Sequence, residues 1–208
     1  MSSDTKSFIN LSTGETLCQA REENRDDLYR ICLSTGGSSD EQKKRERFKK
    51  MLGEVYVGPH LTFSPQFSYV LRDINIVGYI VAVLDTAVFE KTLESNWWPH
   101  LVSEYSSQTL NESERELFTL MAEPVRTPSE LLEKFPSHLH INLMDPYQGK
   151  GRGVEMMDFT LRNLKESGSN GIHLRMNSRN ERAYHFYTKL GFSIYSKSQN
   201  EWILVKEL

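Results

Sequence analysis

Long apolar runs are missing from this sequence: no window approaches 18 uncharged apolar residues, so nothing in it reads as a membrane span. Cysteine is scarce, with only Cys18 and Cys32 in 208 residues, and no second cysteine stands at ligand spacing from either. A cysteine-based zinc site is therefore disfavoured, and the two read as buried reduced thiols in a cytosolic or nuclear setting. An excess of one charge is lacking too. Lys plus Arg number 25 against 28 Asp plus Glu, a formal −3 with a pI near 6.1, so no whole-molecule field calls for nucleic acid or anionic lipid. The first 15 residues carry one basic residue, Lys6, and no apolar stretch, so a secretory signal is not expected and a cytoplasmic or nuclear location is. What remains is a globular composition, 38% hydrophobic and 25% charged with mean hydropathy −0.52, on a chain able to bury roughly 70% of its unfolded surface.

Residues 1–14 are rich in Ser and Thr and read as a loose terminus; 15–208 read as one domain. Thr16 to Ala20 suits a strand, and Leu28, Ile31 and Cys32 have the spacing of a helix lying on a core. A charged helix is expected over Asp40–Leu52. Its run Lys43-Lys44-Arg45-Glu46-Arg47-Phe48-Lys49-Lys50 contains Glu46, is flanked by Asp40 and Glu54, and reads as a solvated face rather than a nucleic-acid patch. Gln66–Arg72 and Ile76–Leu84 form a predicted hairpin, its second strand apolar enough to be central. Residues 86–135 turn helical and are too long for a connection, so they are expected to be an inserted helical segment; its Trp97 and Trp98 suit aromatic packing or an acceptor wall. The last 70 residues alternate strand and helix: Leu139–Leu143, Lys150–Lys165, Gly171–Met176, Arg179–Leu190, then two closing strands. This order predicts an α/β protein with a mixed sheet and helices packed on it.

Between the Leu139–Leu143 strand and the next helix stands Gln148-Gly149-Lys150-Gly151-Arg152-Gly153-Val154. Three alternate glycines admit conformations and close approaches that a Cβ would forbid, and the amides opening the helix suit a pyrophosphate. The spacing is neither that of a Walker loop nor G-x-G-x-x-G.

This turn carries a resemblance. Gln148-x-x-Gly151-x-Gly153 matches the Q/R-x-x-G-x-G/A signature of the Gcn5-related N-acetyltransferases (GNAT), and Asn180-x-x-Ala183-x-x-x-Tyr187-x-Lys189-x-Gly191-Phe192 matches that family's N-x-x-A-x-x-x-Y-x-K-x-G-F. More narrowly, Val77-Gly78-Tyr79 through Leu84-Asp85-Thr86 and His138-Leu139-His140-Ile141 look like stand-alone microbial acetyltransferases related to the acetyltransferase-like C-terminal domain of O-GlcNAc hydrolase.

The resemblance implies a GNAT fold and direct transfer of acetyl from acetyl-CoA to an amine-bearing small molecule or protein, without nucleic acid or membrane. It places Ile141, Asn142 and Leu143 along the edge that pairs with pantetheine, Gln148 to Val154 under the pyrophosphate and Asn180 at the cofactor or as a helix cap. In the family the Tyr187 position faces the CoA sulfur, as a general acid. Two further catalytic candidates come from position. His140 projects to the face of its strand opposite Ile141 and Leu143, where it reaches acceptor or water, and Asp85 ends the central strand, where a carboxylate binds a cationic amine. His138 and His140 share a face, but with no third ligand at hand no metal site and no metal cofactor are expected. The rival reading is a catalytically silent domain of the same fold, a CoA sensor or protein-interaction module.

Overall fold

The protein is described by a computed structural model over residues 8–208. Of the terminus expected to be loose, residues 1–7 lie outside that range. Phe8–Asn10 forms β1, antiparallel to β2 (Thr16–Gln19), and Leu11 in the turn between them is buried. The turn is tied down: Ser12 donates to Glu155 from both its backbone N–H (3.0 Å) and its hydroxyl (2.5 Å), and Glu15 accepts from the Arg152 guanidinium at 2.5 Å.

The predicted hairpin is present as β3 (Ser68–Arg72) and β4 (Ile76–Val83). Every residue of β4 is buried, as its continuous apolar run requires, because helices cover both of its faces. β5 (Ser137–Leu143), β6 (Gly171–Asn177), β7 (Ser193–Lys197) and β8 (Glu201–Glu207) complete an eight-stranded sheet in the order β1-β2-β3-β4-β5-β6-β8-β7. Only β5 and β6 run parallel; the other neighbours are antiparallel.

On one face α9 (Arg152–Glu166) packs Met156, Met157, Leu161 and Leu164 into a core shared with Leu139, Ile172, Leu174 and Tyr187, the last from α10 (Glu181–Lys189). Val154, although in helical register with this stripe, is partly exposed. On the other face α1 (Arg25–Thr35) and α4 (Gly58–Phe63) bury Leu28, Tyr29, Ile31, Val57 and Leu61 against Val70, Tyr79 and Val81.

The single charged helix expected over Asp40–Leu52 is two. α2 (Asp40–Lys43) buries nothing, Arg45 is extended, and α3 (Glu46–Tyr56) starts afresh where Phe48 and Met51 reach a core. That core is shared with α6 (Trp98–Ser106) and α7 (Glu112–Ala122); α5 (Thr86–Asn96) and α8 (Ser129–Leu132) complete the helices between β4 and β5. Within the basic stretch Arg45, Arg47, Lys49 and Lys50 form ion pairs, Arg47 with the buried Glu114 (2.7 Å) and Lys50 with Glu104 (2.7 Å) among them. Trp97 donates to the Glu54 carbonyl at 3.0 Å and packs edge-on to Phe63, so it joins α5 to α3 and α4. Among the described residues no helix is long and apolar enough to cross a membrane.

Candidate active site

β5 and β6 are paired only at Ser137↔Ile172 and His138↔His173, although each strand is seven residues long. On its other side β5 stays paired to β4 from His138 through Leu143. The sheet therefore parts from Leu139 onward. The antiparallel ladder fixes what the gap contains. Met144 N–H donates to Val77 C=O at 2.9 Å, and alternation from that bond turns the backbone groups of residues 142, 140 and 138 toward β4 and those of Leu139, Ile141 and Leu143 into the gap. A parted parallel pair thus leaves a row of donors and acceptors ready for an extended ligand.

The gap opens into a cleft of about 500 Å³ lined by Ile141, Asn142 and Leu143 of β5, by Gln148, Gly149, Gly151, Gly153 and Val154 of the turn, and by Asn180 and Tyr187 of the following helix region. Gly149 (φ +84°) and Gly151 (φ +85°) are left-handed, a conformation that disfavours any side chain, and each would project a Cβ into open space. Gly153 serves differently: a Cβ there would stand 3.2 Å from the Phe186 ring and 3.6 Å from Leu143, so its absence lets α9 and α10 approach. Gln148 Nε2 donates to Leu143 C=O (2.5 Å) and to Asp145 (3.1 Å), bracing the turn on the strand end. The helix that follows is 15 residues long, and its N-terminal amides and dipole favour an anion at Gly151 to Gly153.

Not every expected residue faces the cleft. Lys150 does not line it, and the Arg152 side chain turns inward, buried against Glu15 with Tyr147 over its guanidinium at 5.3 Å, so in the turn it braces the fold. The same ion pair holds the Glu15 carboxyl down to about 2. Asn142 lines the cleft with its side chain donating to Tyr79 Oη at 2.6 Å while its backbone faces β4. Asn180 is both cap and lining: Oδ1 accepts the Ala183 N–H at 3.0 Å, which leaves its Nδ2 donors to the cleft.

Tyr187 is buried between Phe186 (5.2 Å) and Phe192 (5.6 Å) yet lines the cleft, and burial pushes its phenol well above the usual value. Such a group stays protonated at neutral pH. His140, by contrast, lies on the far face of β5 with His138 and outside the cleft lining; burial, with His173 and Arg175 as nearby like charges, pushes it down to about 4. Asp85 is an exposed helix cap: its Oδ1 accepts the Val88 N–H at 3.0 Å, at the end of β4 beside the start of β5, away from the turn. It does not line the cleft.

Other cleft residues were not anticipated, Thr35 at the end of α1 among them. Arg182, His185 and Lys189 stand at i, i+3 and i+7 on α10, exposed and lining the cleft opposite the turn. Their helical spacing was readable from the sequence as a one-sided basic stripe. His60 was not anticipated either: it reaches His138 from α4, 78 residues earlier, with the two Nε2 atoms 3.2 Å apart, and it supplies the third neighbour that sequence reasoning judged absent.

A mixed sheet parted at its parallel pair above a glycine turn that opens a helix defines the GNAT fold. The chain matches the model of the acetyltransferase (GNAT) family over residues 133–192. It is 29% identical over 150 residues to Protein O-GlcNAcase of Rattus norvegicus, a match that takes in 68% of this chain and 16% of that protein; the chain thus spans only a small part of that curated relative. A crystal structure of SsHAT superposes with a TM-score of 0.83 at 26% identity, over 93% of this chain and 98% of that one. The PaiA N-acetyltransferase of Thermoplasma acidophilum, solved in complex with coenzyme A, superposes with a TM-score of 0.55 at 13% identity, over 92% and 98% of the two chains.

Proposed function

We propose that the chain is an N-acetyltransferase that binds acetyl-CoA in the parted strand pair and passes its acetyl group directly to an amine. The observation that carries this reading is the convergence, on one cleft, of the free backbone edge of β5, the left-handed glycine turn and a protonated Tyr187. The thioester supplies an activated acetyl group and a thiolate leaving group. Residues Gly149 to Val154 cradle the pyrophosphate with backbone N–H groups, and Arg182 and Lys189 supply cationic partners for the remaining phosphate. Ile141 and Leu143 hold the pantetheine arm by their backbone groups. A Leu143 N–H aimed at the thioester oxygen stabilises the charge that develops as the neutral amine attacks; the C–S bond then breaks, Tyr187 protonates the departing thiolate, and the proton shed by the acylated nitrogen restores the phenol. Holding amine and thioester together accounts for much of the acceleration by removing the entropic cost of encounter.

Support comes also from the family match and from the coenzyme A bound by the Thermoplasma acidophilum neighbour. The deciding experiment measures thiol release from acetyl-CoA against a panel of small amines, polyamines, amino-terminal peptides and lysine peptides. Saturable, amine-dependent release establishes the reaction. Tight acetyl-CoA binding with no release across the panel replaces it by a CoA-binding module.

A further inference from the structure

On the face of the sheet opposite α9, three histidines converge outside the cleft. His138 and His140 are two residues apart on β5 and so point the same way; His60 comes down on them from α4. One ligating nitrogen of each lies within 4.8 Å of the other two, and the His60 and His138 Nε2 atoms are 3.2 Å apart. We propose that His60, His138 and His140 form a site for a borderline divalent cation of the zinc type, held by three imidazoles with a fourth position open.

The spacing fits the ion. Zinc–imidazole bonds of about 2.0–2.1 Å at a tetrahedral centre set ligand nitrogens roughly 3.3 Å apart, close to the His60–His138 separation, and the third ring closes by rotation of its side chain. The protonation pattern fits as well. Thr86 Oγ1 has one proton, and it approaches the Pro136 carbonyl at 2.6 Å, where only donation is possible; toward His138 Nδ1, at 2.8 Å, it therefore accepts. His138 is thus held as the Nδ1–H tautomer with a bare Nε2 aimed at His60. A ring N–H locked to a hydroxyl and a carbonyl behind it is the arrangement that orients a metal-bound histidine.

Hydrogen bonding within the protein leaves the cluster incomplete: His60 is 3% exposed and its Nδ1 has no partner among the described residues. Phe89, 5.0 Å from His60 and 5.5 Å from His138, and Tyr56, edge-on to His140 at 6.2 Å, wall the rings with aromatic surface. Arg175 is the opposing charge, and its ion pair with Glu201 at 2.6 Å weakens that opposition. His173, 5.7 Å from His138, already spends its Nδ1 on the Phe135 carbonyl at 2.8 Å and stands outside the set.

The test strips the full chain with a chelator and titrates Zn2+ alone in competition with a chromophoric chelator. One equivalent is expected per chain, with affinity falling at least ~100-fold in each of His60→Gln, His138→Gln and His140→Gln and staying within about threefold in His173→Gln. Titration of the wild type with Co2+ removes dependence on variant folding: a four-coordinate nitrogen site gives intense visible absorption that Zn2+ bleaches. Substoichiometric uptake by the wild type at micromolar free zinc overturns the proposal, and so does stoichiometric binding that survives both His138→Gln and His140→Gln. None of these readouts uses acyl transfer, so the result stands apart from the acetyltransferase reading.

Discussion

Tyr187→Phe separates chemistry from packing more cleanly than any other single change. The Tyr187 ring is buried against Phe186 and Phe192, and phenylalanine preserves both contacts. No hydrogen bond to its hydroxyl acts on its pKa, burial being the one cause of the upward shift. Removing the hydroxyl therefore breaks no protein hydrogen bond and leaves no buried group unpaired, so stability should stay within about 0.5 kcal/mol and Tm within roughly 2 °C. Acetyl-CoA affinity should hold as well, because in the proposed mode backbone groups and α10, not this hydroxyl, hold the phosphates and pantetheine. Catalysis should suffer: a positioned general acid contributes at least ~10², equivalent to about 2.7 kcal/mol of barrier. The assay is single-turnover thiol release with enzyme in excess over acetyl-CoA at saturating amine, which isolates the chemical step from product release. A loss of roughly 10² with Tm and acetyl-CoA affinity unchanged is expected. An unchanged single-turnover rate would return Tyr187 to a packing role and refute the reasoning, and a Tm lower by more than about 4 °C would show that the hydroxyl holds the fold.

Three other outcomes are expected. Acetyl-CoA at about 100-fold over its dissociation constant should raise Tm by roughly 5–10 °C, from ~2.7 kcal/mol of linkage; Gly151→Asp should abolish the shift in a thermal scan, since it puts a carboxylate at a left-handed position facing the anion site. Arg182→Glu and Lys189→Glu should each weaken acetyl-CoA binding about 5- to 50-fold by calorimetry, with a smaller effect at high salt because both side chains are exposed. Glu15 should make stability acid-sensitive. Its folded value of about 2 lies below its ordinary 4.5, so its contribution is complete above pH 4.5 and is lost as pH falls from there toward 2; Glu15→Gln should flatten the Tm–pH curve in that interval.

The sequence by itself determined the parts of this protein whose cause is local. Gly149 and Gly151 are required by the backbone conformation of their own turn, Asn180 caps the helix it begins, and the β4 run is apolar along its whole length, so each was legible without tertiary contacts. The Arg182, His185 and Lys189 stripe was local too, readable at helical spacing though overlooked. Asp85 shows what strand position alone leaves out: Asp85-Thr86-Ala87-Val88 is also a helix start, and one oxygen of the carboxylate caps it. Only the tertiary structure decided what depends on separated segments. That β5 leaves β6 after His138 follows from the packing of whole strands, and that separation creates the cleft. Arg152 turned from the turn to Glu15, 137 residues away, and Ser12 reached Glu155, because the β1–β2 hairpin docks on α9. His60 met His138 and His140 because α4 lies across β4 and β5; periodicity encodes which face of an element is buried, but not which distant element will cover it.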